Sequence, residues 1–542
     1  MNTFQLMDWA FLALYFAAVL GVTWWVVLQK QKTSADYFLA SRHIGWYIIG
    51  GSIFAANIGS EHVVGLAGTA AKTGVAMGHY ELHAWLVLLL GWVFVPFYMR
   101  SKVFTMPEFL ERRYSPTARW VLSVISLLAY VLTKVSVTVY AGAIVLQAVI
   151  GIDFWTAALL VVLITGLYTV LGGLKAVVYT DAIHTVVLLV GSLALLFVGL
   201  SRIGGWDGLI QTVGADHLNL WLPLSHPDFP WLGMLQTPPI VGLWYWCTDQ
   251  CIVQRTLAAK DERQARRGTI FAAFLKLTPF FIFILPGVIA YGLVKTDKMQ
   301  LQVADMAFPT MVRALLPMGI RGLVVGGMLA ALMSSLAAVF NSCSTLFTMD
   351  IYKKLKPKTE EKQLVHVGRI ATTVVVVLGI VWIPFMKYFS TELYHYLQTI
   401  QGYLAPPIAS VFLLGLFWPR INAKGALTAL ISGFVIGMAK MVADLLFKDS
   451  AIGWLNQAAN MNFLYFAPIL FLYCIGIMVV VSMFTAAPKK EQLSGLTYST
   501  TVAEDKAASR ATWNKTDVLL SIVVVAVVAA VLLYFSPIGV AR

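Results

Sequence analysis

Long apolar runs recur along the chain, separated by short polar loops. A membrane-spanning helix needs about 20 mostly apolar residues. On that measure the pattern predicts fourteen spans, at about 8–28, 44–68, 78–98, 119–149, 154–171, 177–200, 231–254, 268–293, 317–350, 366–386, 391–417, 425–445, 463–484 and 517–536. Residues 119–149 contain no Gly-Pro break, so they read as one tilted helix. The longest segments between spans are about 201–230 and 486–515, which leaves no room for a large soluble domain. The fold class is all-α and polytopic, because each spanning segment must satisfy its own backbone hydrogen bonds in lipid.

Composition strengthens this reading. Of 542 residues, 59% are hydrophobic and only 12% charged, too few charges to cover a soluble surface of that size. The net charge of +13 raises the question of nucleic acid, and its distribution answers it. With the N-terminus outside, the basic clusters Arg112, Arg113 and Arg119, then Arg263, Arg266 and Arg267, then Lys353, Lys354, Lys356 and Lys358, all fall on the inner face. The opposite loops are sparsely basic, so the charge reports topology rather than a partner. Both termini then face outward, across a plasma membrane (the inner membrane in a bacterium). Cys247, Cys251, Cys343 and Cys474 lie in or beside apolar spans and imply no disulfide framework.

Polar residues at mid-membrane depth carry the functional signal, since they are costly there. The first cluster runs Gly51-Ser52-Ile53-Phe54-Ala55-Ala56-Asn57-Ile58-Gly59-Ser60-Glu61-His62. Its polar side chains cannot all face lipid, and glycine lets the helix break. Broken helices at this depth line protein-enclosed cavities, as in secondary transporters. The second cluster is Trp244-Tyr245-Trp246-Cys247-Thr248-Asp249-Gln250. Its three rings point around the helix, so they are neither all interfacial belt nor all core. Flat apolar faces beside polar donors suit a sugar ring. The third is Ala331-Leu332-Met333-Ser334-Ser335; paired serines often only ease helix packing. Joined to the carbonyls of a broken helix, their hydroxyls would hold a sodium ion without a buried full charge. Glu81, Lys134, Asp181 and Lys276 add isolated charges, and Gln398 and Gln401 add neutral donors and acceptors.

With these residues in view, the sequence resembles the sodium/solute symporter family, in its sodium–glucose cotransporter branch, over about residues 8–485. The resemblance is carried by Ala55 to His62, Thr105-Met106-Pro107-Glu108-Phe109, Thr180-Asp181, Leu243 to Gln250, Met333-Ser334-Ser335-Leu336, Phe340-Asn341-Ser342, Thr348-Met349-Asp350-Ile351-Tyr352 and Phe417-Trp418. It implies the leucine-transporter fold, with two inverted five-helix repeats at 44–200 and 231–417. A peripheral first helix and cytoplasmic loop at 1–43, an extracellular loop at 201–230 and peripheral C-terminal helices at 418–542 complete the implied organisation.

The resemblance also implies roles. A sugar site falls on Asn57, His62, Glu81, Trp246, Lys276 and Gln398. Tyr245 matches an inner gate, and Leu66, Tyr80 and Tyr394 match an outer lid. A sodium site falls on the carbonyls of Ala55, Ile58 and Ala331 and the hydroxyls of Ser334 and Ser335, with Asp181 as a coupling carboxylate nearby. Gly242 replaces a hydrogen-bonding side chain of well-known sugar carriers. Ala337 stands where two-sodium members carry Thr, which implies one sodium per sugar. The Glu61-His62 pair is shared with inositol carriers, although the retained Ser334-Ser335 pair is not.

The implied function is therefore sodium-coupled import of a glucose- or galactose-like monosaccharide. The partners are the sugar, sodium and the bilayer, with no nucleic acid and no obligatory protein. The alternatives are a myo-inositol or other polyol symporter, or a sugar sensor of the same fold. A channel would need a continuous polar stripe. An enzyme would need a nucleophile–base set or metal ligands, and no histidine pair shares a helix face with a carboxylate.

Overall fold

The computed structural model describes residues 4–29, 33–59, 61–386 and 393–542. Ser60 of the first polar cluster, and residues 391 and 392 where a span was expected to begin, lie outside the described residues. Those described are overwhelmingly helical, and the bridge between Ile44 and Ala259 is an isolated extended pairing. Seven helices position the site: α1 (Leu6–Leu28), α2 (Trp46–Asn57), α3 (Phe154–Ile203), α4 (Trp231–Cys247), α5 (Glu262–Lys276), α6 (Ile320–Thr345) and α7 (Leu393–Phe417).

Ten helices among the described residues are long and apolar enough to cross a membrane, not the fourteen expected. The expected spans missing from that set are 44–68, 154–171, 231–254 and 366–386. Two of these are broken. α2 stops at Asn57, and the chain resumes as a π-helical stretch, Glu61–Leu66. α4 stops at Cys247, and a second helix, Gln250–Leu257, starts after Asp249 caps it through the Cys251 amide at 2.8 Å. The span at 154–171 yields only a short apolar helix, Phe154–Leu167, and α3 carries a kink at Gly173, whose φ is 56°. The span at 366–386 adjoins residues outside the described set.

Two close helix crossings set the register of the interior. Gly50 of α2 sits so near α5 that an added Cβ would lie 2.5 Å from the Phe271 ring and 2.8 Å from the Gly268 carbonyl. Small residues permit such approaches inside a bilayer. Two turns further along both helices, in parallel register, Asn57 meets Lys276. On the other side Gly327 of α6 lies against the backbone of Leu188 in α3, with a built Cβ 3.1 Å from the Leu188 Cα. Two turns on, in antiparallel register, Ser334 meets Asp181. Each glycine contact thus fixes one polar meeting point at the centre of the molecule.

The ends are tied by ion pairs. Asp8 of α1 accepts from the Gly319 and Gly322 amides at 2.9 and 3.0 Å and pairs with Arg321 at 2.7 Å, pinning the first helix to the start of α6. Two motifs from distant parts of the chain converge where Asp350 accepts from Thr105 at 2.7 Å and pairs with Arg119 at 2.6 Å. The segment before the last helix straps across the basic end of α5. Ser509 and Thr512 bond Glu262, and Arg267 pairs with Asp517 at 3.1 Å.

Candidate functional site

The break after Asn57 leaves polar groups of α2 facing inward, and α5 delivers a lysine to them. Lys276 Nζ donates to Asn57 Oδ1 at 2.9 Å and to Glu81 Oε2 at 2.6 Å. Glu81 Oε1 accepts from the Tyr394 hydroxyl at 2.9 Å and lies 3.4 Å from His62 Nε2. His62 Nδ1 accepts from the Gly59 amide at 3.3 Å. In an unbroken helix that amide would bond the Ala55 carbonyl. Removing one partner from a buried pair such as Lys276–Glu81 costs about 3–5 kcal/mol, because the other charge is stranded.

Around this network lies a small cavity lined by Asn57, Glu61, His62, Tyr80, Glu81, His83, Gly242, Tyr245, Trp246, Lys276, Tyr394, Leu397, Gln398 and Gln401, with Val241. Its volume of about 40 Å³ holds a few waters, so this conformation is contracted. Tyr245 receives a hydrogen bond from Asn57 at 3.4 Å, and Lys134 Nζ sits over its ring at 4.1 Å. Tyr394 is held against Gly65, where a Cβ would come within 2.8 Å of the Tyr394 backbone. Gln398 Oε1 and the Tyr80 hydroxyl are buried without hydrogen-bond partners among the described residues, which leaves both free to meet a bound molecule.

Position 242 needs its glycine. A Cβ there would stand 2.4 Å from Leu86 and 2.8 Å from His83 Nδ1. The imidazole of His83 has taken that space, and it lines the cavity.

A second cluster lies behind α2. Asp181, fully buried, accepts from Ser334 at 2.5 Å and from Ser52 at 2.6 Å, and pairs with Arg255 at 3.1 Å. Arg255 also donates to the Ser52 carbonyl at 3.0 Å. Ser334 thereby uses its proton on Asp181 and keeps its lone pairs for another group. Gly59 brings the broken end of α2 against α6: a Cβ on it would lie 2.9 Å from Ser335 Oγ. The donor set suits a sodium ion, being hydroxyls beside helix-end carbonyls with a carboxylate one bond away.

The six residues implied as a sugar site all line the one cavity, as do Tyr245, Tyr80 and Tyr394. Leu66 does not line it, although it is fully buried nearby. His83 and Glu61 line it without having been assigned a role from sequence; the signal was their place among polar neighbours mid-span. The Arg255–Asp181 pair was also missed, because nothing local links the two.

The family model for the sodium:solute symporter family matches residues 37–433. The chain is 39% identical over 522 residues to sodium/glucose cotransporter 1 of Oryctolagus cuniculus, covering 88% of this chain and 79% of that protein. It is 40% identical over 531 residues to sodium/myo-inositol cotransporter 2 of Homo sapiens, covering 91% and 79%. In fold it is similar to the structure of a substrate-bound, outward-open Na+-coupled sialic acid symporter, with a TM-score of 0.78 at 22% identity over 90% of this chain and 99% of that one. The architecture is the leucine-transporter fold. The protein is a multi-pass membrane transporter rather than an enzyme, sodium is its coupling ion, and the chain belongs to the sodium:solute symporter family.

Proposed function

We propose that the protein imports a glucose- or galactose-like monosaccharide by alternating access, with one sodium ion per sugar. The observation that carries this reading is the double role of α2. Its broken end lies against α6, where a Cβ on Gly59 would stand 2.9 Å from Ser335 Oγ, while Asn57, its last residue, lines the cavity. An ion that fixes this end of α2 also fixes Asn57 and, through it, Lys276 and Glu81. Ion and solute then favour the same conformation, which is coupling in the thermodynamic sense.

The chemistry of the cavity favours an uncharged, hydroxyl-rich solute. Lys276 and Glu81 neutralise each other at 2.6 Å, yet keep donor and acceptor capacity for hydroxyls. Trp246 and Tyr245 supply flat apolar surface for a ring. Tyr245 closes the cavity on one side, and Tyr80 and Tyr394 on the other. The glucose and myo-inositol cotransporters compared above are similar to this chain to the same degree; the retained Ser334-Ser335 pair favours the monosaccharide. We assign the loops bearing Arg263, Arg266 and Arg267 to the cytoplasm and both termini to the outside, on the positive-inside rule.

Uptake by purified protein in liposomes, with glucose, galactose, mannose and myo-inositol offered in sodium or potassium medium, tests the reading. Sodium-dependent accumulation of glucose or galactose is expected. Preferential uptake of myo-inositol reassigns the solute; binding without flux identifies a sensor; equal uptake in potassium overturns sodium coupling.

A further inference from the structure

Glu61 is a buried carboxylate that the network above does not use. It opens the π-helical stretch beyond the break in α2, and its side chain is 8% exposed. Its Oε2 has no hydrogen-bond partner among the described residues. The nearby His62 Nδ1, 3.9 Å from Oε1, offers no help. That nitrogen already accepts the Gly59 amide, so it presents a lone pair, and the imidazole proton lies on Nε2 toward Glu81. Lys134 Nζ lies over the Tyr245 ring at 4.1 Å and 4.0 Å from Asp249, and it makes no hydrogen bond to Glu61. A carboxylate oxygen buried without a hydrogen bond is costly, and a cation bound beside it would offset that cost.

A second oxygen lies close to this carboxylate. Gly59 is flanked on its Cα by two oxygens. The position of an added Cβ lies 2.2 Å from Glu61 Oε2 and 2.9 Å from Ser335 Oγ. The unpartnered carboxylate oxygen and the serine hydroxyl therefore lie on the same side of the Gly59 Cα, at the broken end of α2, and any side chain at position 59 would run into both.

We propose that Glu61 Oε2 is a charged ligand of the sodium ion held by Ala55, Ile58, Ala331, Ser334 and Ser335. This rests on the sodium site described under the proposed function. It changes the electrostatics of that site: neutral oxygens alone leave the bound ion as a buried positive charge, whereas Glu61 neutralises it. It also joins the two sites through one side chain, because Glu61 lines the solute cavity.

The test is sodium titration of the purified protein without sugar, read by intrinsic tryptophan fluorescence and by displacement of radioactive sodium. Glu61→Gln keeps the shape and removes the charge. It should raise the half-saturating sodium concentration about tenfold or more, while sugar affinity at saturating sodium changes less than about threefold. Glu61→Asp, which keeps the charge on a shorter arm, should fall between and serves if the glutamine variant does not fold. Ser334→Ala reports on the underlying site. If Ser334→Ala weakens sodium binding and neither Glu61 variant does, Glu61 is no ligand and the proposal falls while the site stands. If neither Ser334→Ala nor the Glu61 variants alter sodium binding, the site itself is misplaced. If Glu61→Gln weakens only sugar binding, Glu61 serves the solute alone and the proposal is again overturned.

Discussion

His83 occupies the space that a side chain on residue 242 would need: its Nδ1 lies 2.8 Å from where a Cβ on Gly242 would stand. The two positions therefore act as one unit. Introducing Gly242→Thr alone should force His83 or Leu86 to move, at a cost of about 1–3 kcal/mol for overpacking. Adding His83→Ala should recover part of that loss, since the Leu86 methyl at 2.4 Å remains. A double-mutant cycle on thermal stability measures the coupling; additive effects would show that the imidazole does not compete for this space.

Gln398 and Lys276 should respond differently to truncation. Gln398 Oε1 has no hydrogen-bond partner among the described residues, so Gln398→Ala should leave stability unchanged and weaken solute affinity about tenfold. Lys276→Ala strands Glu81, so it should lower stability as well, by about 3–5 kcal/mol. Lys276→Ala with Glu81→Ala should recover part of the stability and none of the affinity. Thermal melts and binding isotherms on the same samples separate the two behaviours.

Transport should carry current. A neutral solute moving with one cation transfers one positive charge inward, and the membrane potential then contributes about 2.3 kcal/mol per 100 mV. Uptake into liposomes should rise when a potassium diffusion potential makes the interior negative. Indifference to that potential would mean electroneutral exchange.

The reversal potential should follow a one-to-one stoichiometry. Ala337 is packed with Val177 and Met333 in a small apolar cluster, so methyl groups stand where a second ion would need oxygens. Ala337→Thr places a hydroxyl there, one turn from Asp181, and is the variant in which a second sodium should be gained. A sodium slope twice the sugar slope in the unmodified protein would refute the assignment.

Much of this arrangement is legible in the sequence because the constraint is local and severe. Polar residues such as Asn57, Lys276 and Gln398 in apolar runs must face a cavity or one another, and the structure gathers them in one place. What stays hidden depends on register between helices. The meeting of Asp181 with Arg255 follows from how α2, α3 and the helix Gln250–Leu257 stack. The fit of His83 against Gly242 depends on an ångström-scale approach that residue spacing does not encode. Leu66, assigned to a lid by resemblance, is buried and is not among the residues that line the cavity. The span count fails for a related reason: the apolar runs expected at 44–68 and 231–254 pass over Asn57 and Cys247, where the helices stop.

The interruption of α2 at Asn57 also has an electrical meaning. Peptide dipoles aligned along a helix leave roughly half a negative charge at its carboxyl end, and α2 discharges that field at mid-membrane rather than at a solvated surface. A sodium ion held at the proposed site would thus be attracted by a whole half-helix as well as by its oxygen ligands. A mutation that let the backbone run on as continuous helix through Gly59 would annul that field and cap the carbonyls at one stroke, abolishing ion binding without altering a single ligand side chain.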